Sequence, residues 1–152
     1  MKKIVFCALA LTSIFAMSCG NDSGQITRSK TQLDSLLDDV LEGHNIGMAK
    51  LGKLTRAEQT TKRLLDSIAK LPEKTRQAAE PLKVKLDSLK SDLSYAEFAM
   101  NKWMDEFNVD SAIDNAKERI KYLEDEKLKV TKVKEAILSS LQKADSLLKV
   151  KI

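Results

Sequence analysis

The chain has 152 residues, 43% of them apolar and 32% charged, with 26 basic against 22 acidic side chains, five Gly and two Pro. That balance excludes a disordered chain, a collagen-like chain and a multi-span membrane protein. So few turn formers and aromatics argue against a β-sandwich or barrel, and the length suits one elongated all-α domain.

Lys2 and Lys3 precede an apolar run, Ile4 to Leu11, that reaches Met17 only by passing Thr12 and Ser13. The run is too short and interrupted to cross about 30 Å of hydrocarbon, which takes about 20 residues. A charged start, a short apolar middle and small residues at its end read as a signal peptide over residues 1–18. Ala16-Met17-Ser18-Cys19 resembles a bacterial lipobox, with Met17 where a small residue is usual and Ala16 where leucine is commoner. Cys19 is therefore expected to carry the lipid and to hold the chain to a membrane; plain secretion is the weaker alternative. Cys7 falls in the segment removed, so the mature chain has one thiol and no internal disulfide. Gly20-Asn21-Asp22-Ser23-Gly24-Gln25 reads as the start of a flexible tether over residues 19–28. Loss of Lys2 and Lys3 from the 26 basic residues leaves 24 against 22 acidic, a net side-chain charge of +2. The charges alternate along the chain with no basic block interleaved with aromatics, so nucleic acid is not an expected partner.

Three seams follow, each stepping by alternating four and three residues, the heptad signature of packed helices. The first runs Leu33, Leu37, Val40, His44, Gly47, Leu51, Leu54, Glu58, Thr61, Leu65, Ile68 and stops at Pro72. Residues 73–81, charged and closed by Pro81, read as a linker with room for a helical turn. The second seam, Leu82, Leu86, Leu89, Leu93, Ala96, Met100, Trp103, Phe107, has no polar interruption. Asn108-Val109-Asp110 breaks it, and Ser111 with Asp114 reads as a capping box opening the third helix. The third seam runs Ile113, Ala116, Ile120, Leu123, Lys127, Val130, Lys134, Ile137, Leu141, Ala144, Leu148, with Val133 and Leu138 widening its apolar face. The expected helices are about 29–71, 82–107 and 111–150. Short connections between long helices favour antiparallel neighbours, so the expected fold is an elongated up-down-up three-helix bundle with coiled-coil-like heptad packing. At 1.5 Å per residue the first helix would be about 60 Å long and the second about 40 Å, and the overhang invites an envelope protein partner or self-association.

One cluster stands out. His44 and Met48 are four apart on the first helix, and Met100 and Met104 are four apart on the second, beside Trp103, the single tryptophan. Residues four apart share a helix face. A hairpin centred near Lys74 sets His44 opposite Met104 and Met48 opposite Met100; a longer linker shifts the partners by about one turn. Thioether sulfur and imidazole suit Cu(I) or Ag(I), and an indole face can hold a cation. His44, Met48, Met100 and Met104 are thus candidate metal ligands with Trp103 over the ion, and Gly43 and Gly47 would let the helices close in. Ordinary core filling is the competing and favoured explanation of the same residues.

Catalytic chemistry finds little support. There is no Gly-rich phosphate loop, no nucleophilic Cys, and one His outside any Ser–His–Asp pattern. One His is too few for a zinc site without Cys. Asp38-Asp39 and Glu124-Asp125-Glu126 read as solvated helix faces.

These residues resemble a family of small helical lipoproteins from Bacteroidetes, sometimes labelled viral A-type inclusion protein. The family pattern His-Asp-x-x-Met-Pro-x-Met-Gly is met by His44, Met48 and Gly52, while Asn45, Ala49 and Leu51 depart from it. Its second-helix pattern, Ala-x-x-Ala-Met-x-x-Trp-Met-x-x-Phe, is met by Ala96, Ala99, Met100, Trp103, Met104 and Phe107. The stretch from Tyr122-Leu123 to Lys134 is similar in texture. The resemblance implies a helical envelope lipoprotein and brings no activity. Such lipoproteins commonly sit in the outer membrane, with acids after the Cys marking export to the surface; Asp22 alone points to the periplasmic side. The expectation is a lipid-anchored, non-catalytic helical interaction or spacer protein of the cell envelope without a cofactor; a periplasmic Cu(I)/Ag(I)-binding protein is the alternative.

Overall fold

The computed structural model describes the backbone of residues 22–148 and the side chains of residues 32–148. The expected signal peptide and Cys19 lie outside the described residues. Three helices, α1 (Asp22–Ala69), α2 (Glu73–Glu106) and α3 (Ala116–Leu148), account for nearly all of the described chain, and no strand occurs among its residues. Each helix packs against both others.

Cross-helix pairs give the directions. Asp39 meets Lys127 and Gly43 meets Val130, so α1 and α3 rise together. Trp103 meets Glu126 and Asp92 meets Lys143, so α2 runs against α3. The fold is the up-down-up three-helix bundle that the seams require. At 1.5 Å per residue, 48 residues make α1 about 72 Å long, whereas α2 and α3 are about 50 Å.

The core follows the heptads closely in α2, where Leu86, Leu89, Leu93, Ala96, Met100 and Trp103 are all buried. α1 contributes Val40, Leu54, Ala57 and Ile68, and α3 contributes Leu123, Val130, Ile137, Leu141, Ala144 and Leu148. Gly43 and Gly47 are buried where α1 packs on its neighbours. A Cβ on Gly43 would stand 3.0 Å from Val130 Cγ1, and one on Gly47 would overlap the Met100 methyl. Two buried hydroxyls in helix interiors avoid an unsatisfied donor by bonding the preceding turn: Thr61 Oγ1 donates to the Ala57 carbonyl at 2.8 Å and Ser140 Oγ to the Ala136 carbonyl at 2.7 Å.

Several boundaries differ from the seam reading. Residues 73–81 are no linker, because α2 begins at Glu73 with Pro72 as its N-cap. Pro81 sits inside the helix on its exposed face, where it removes one helical N–H donor. Leu82, expected in the core, is 45% exposed. The tether expected over residues 19–28 is already helical from Asp22.

The capping box also fails. Residues 109–114 form a turn in which Ala112 takes a φ of 55°, left-handed backbone that costs a residue bearing a Cβ about 1–2 kcal/mol. The turn is held by Asn115 N–H to the Ala112 carbonyl at 3.1 Å and by the Arg119 guanidinium on the Ser111 carbonyl at 2.9 Å. It delays α3 to Ala116, leaves Ile113 59% exposed, and gives the cap to Asn115, whose Oδ1 accepts from Glu118 N–H at 3.3 Å.

Candidate functional site

The end of the bundle that holds the α2 C-terminus and the α3 N-terminus carries a ladder of aromatic rings. His44 of α1 lies 5.6 Å from Trp103 of α2, tilted by 37°. Trp103 stacks on Phe107 at 4.8 Å, and Phe107 faces Tyr122 of α3 at 6.3 Å. Offset stacking at such spacing adds to the area the rings bury. Tyr122 Oη accepts the Asn108 backbone N–H at 2.8 Å, which secures the chain where it leaves α2.

Beneath the ladder is a buried carboxylate. Trp103 Nε1 donates to Glu126 Oε2 at 2.9 Å, and Lys129 Nζ donates to Glu126 Oε1 at 2.7 Å. Glu126 is only 3% exposed, so the expectation of a solvated Glu124-Asp125-Glu126 face is wrong for this residue. The third seam therefore passes through Glu126 and not Lys127, which is exposed and pairs with Asp39 instead. The hydrogen bond to Glu126 holds the Lys129 ammonium above its ordinary pKa. The readable signal was Trp103 itself, since a buried indole N–H needs an acceptor and a heptad count does not supply one.

A second polar contact joins α1 to α2. Ser94 Oγ donates to Glu58 Oε1 at 2.7 Å, and Lys62 approaches the same oxygen at 2.9 Å. The Ser94 hydroxyl first, then Lys62, draws the Glu58 carboxyl below the usual glutamate range, against a smaller opposing effect of burial.

The four candidate metal ligands separate into two kinds. Met100 is fully buried, its methyl against Gly47 with Ile137 Cδ1 beside it, so it fills the core as the competing explanation holds. Met104 is half-buried against the core, His44 is half-buried over Trp103, and Met48 is 38% exposed. The hairpin register set His44 opposite Met104, and the structure places its ring beside the adjacent Trp103. His44 Nδ1 lies 3.1 Å from Asn45 Oδ1. Among the described residues no group of three or more His, Cys, Asp or Glu side chains is placed to hold a metal ion.

No protein-family model, curated protein or solved structure matches the chain.

Proposed function

We propose that the chain is a lipid-anchored, non-catalytic helical interaction or spacer protein of the bacterial cell envelope, held to the outer membrane through Cys19 and facing the periplasm. The observation that carries this reading is the placement of α1. It is 48 residues long and begins at Asp22, three residues after the expected lipid-bearing Cys19. Three residues extended span only about 10 Å, so an anchor at Cys19 would hold the base of a rod about 72 Å long close to the bilayer. Because α3 runs parallel to α1, the α1–α2 turn and the C-terminal end of α3 would then lie at the distal end.

Two further features support the interaction part of the reading. Near the distal end, an open groove of about 690 Å³ runs between α2 and α3, with Val84, Leu89 and Leu147 in its walls and Ser88, Ser139 and Ser146 among them. Tyr95 and Phe98, three apart on the outer face of α2, are 62% and 60% exposed. Among the described residues no buried side-chain polar atom lacks a partner. No described helix is long and apolar enough to cross a membrane.

The test is metabolic labelling with an alkyne fatty acid in a bacterial host that lipidates its own envelope proteins. The wild-type chain should take up label and Cys19→Ser should take up none. Label retained by Cys19→Ser, or absent from both, would overturn the anchor.

A further inference from the structure

The geometry points to a soft-metal site in the seam between α1 and α2, with His44, Met48 and Met104 as ligands and the Trp103 indole beside it. This goes beyond the anchored rod and does not depend on it.

Register brings the three residues to about one level of the rod. The Ser94–Glu58 hydrogen bond at 2.7 Å fixes how α1 and α2 lie against each other. Met48 precedes Glu58 by ten residues and Met104 follows Ser94 by ten, so in an antiparallel pair the two thioethers come to one level of the rod. His44 is one helical turn from Met48 on the same face, and its ring is located independently by the 5.6 Å approach to Trp103, the residue before Met104. Both Met48, at 38% exposure, and the half-buried His44 can be reached from solvent.

His44 Nδ1 lies 3.1 Å from Asn45 Oδ1, and a ring held through Nδ1 would present Nε2 to a metal. A hydrogen-bond partner on the other ring nitrogen is the usual companion of a metal-bound histidine. One imidazole and two thioethers form a soft donor set that favours Cu(I) and Ag(I) over zinc, magnesium or calcium. The neighbouring indole adds a face that attracts cations. Met100 takes no part, because its whole side chain is enclosed. Core filling accounts for Met100 well, but it accounts poorly for Met48, which leaves over a third of its surface in water.

The test is Ag(I) titration of the full chain in detergent, carrying Cys7→Ser and Cys19→Ser so that no thiol competes, followed by Trp103 emission and by equilibrium dialysis. Trp103 is the single tryptophan, so its emission reports on this place alone. One Ag(I) should bind per chain with a saturable change in emission. Met48→Leu and Met104→Leu should each weaken binding by about tenfold or more, while Met100→Leu should leave it unchanged. Circular dichroism of each variant checks that the bundle is intact, and His44→Ala removes the imidazole while leaving both thioethers in place. No saturable change in Trp103 emission overturns the site. So does binding that survives loss of His44, Met48 or Met104, or that is lost only with Met100→Leu.

Discussion

Trp103 and Glu126 are joined across the α2–α3 interface by a 2.9 Å hydrogen bond from indole Nε1 to carboxylate Oε2, at a level of the bundle where both residues are almost wholly buried. The bond satisfies a donor that apolar packing would leave unpaired. Together with Lys129 it gives both oxygens of a buried carboxylate a partner.

Removing either side of this pair should be costly. Glu126→Ala strands the indole N–H and should destabilise the domain by about 2–3 kcal/mol in urea denaturation. Trp103→Phe keeps an aromatic ring but leaves the carboxylate to Lys129 alone, and about 1–3 kcal/mol should be lost. The double variant should lose less than the two single losses combined, because the residues share one bond. Strict additivity would mean that the bond contributes nothing.

The helical glycines should split by sign. Alanine gains about 1 kcal/mol over glycine in a helix interior. At Gly52 the nearest atom to an added Cβ is Arg56 Nη1 at 3.6 Å, so Gly52→Ala should raise stability by about 0.5–1 kcal/mol. At Gly47 the added methyl meets the Met100 methyl, which is enclosed and also backed by Ile137, and overpacking costs about 1–3 kcal/mol. Gly47→Ala should therefore lower the melting temperature, and Gly52→Ala should raise it. A raised value for both would show that α1 does not approach α2 and α3 as closely as the structure places it.

The heptad count located most of this architecture because it reads the one property that builds it, a continuous apolar stripe. It succeeded from Leu86 to Trp103 in α2, though Leu82 of the same unbroken seam is exposed. It failed where burial is decided by a specific polar partner. Glu126 is inside because Trp103 needs an acceptor, and Lys127, next in a strict alternation, stays in solvent against Asp39. Boundaries failed for backbone reasons. Pro81 lies inside α2 although proline is costly in a helix interior, so the residue type alone misplaced that boundary. The turn through Ala112 at positive φ has no glycine to announce it. Of the candidate site, helical spacing set His44 opposite Met104, one residue from the Trp103 ring it lies beside, but nothing in that spacing distinguishes enclosed Met100 from half-exposed Met48.

Glu58 should make stability depend on pH in one direction. Its carboxyl is held below the ordinary value of 4.5, chiefly by the Ser94 hydroxyl and then by Lys62. A carboxylate with a depressed folded pKa stabilises fully above its unfolded value and loses that contribution as pH falls through the folded one. The wild-type chain should thus be more stable at about pH 6 than at about pH 3, and Ser94→Ala should flatten that slope. Urea denaturation at the two pH values measures it. An unchanged slope in Ser94→Ala would mean that the hydroxyl does not stabilise the ionised form.

The rod depends on α1 and α3 rising in parallel with α2 returning against both. Zero-length carbodiimide crosslinking followed by peptide mass spectrometry tests this directly, because it joins only carboxylates and amines already in contact. The salt bridges of 2.6 Å between Asp39 and Lys127 and of 2.7 Å between Asp92 and Lys143 should each become an amide bond. Recovery of both links would place the α1–α3 and α2–α3 registers where the structure has them. Links from Asp39 to the far end of α3, at Lys143 and not Lys127, would show that α1 and α3 run in opposite directions and would contradict the bundle.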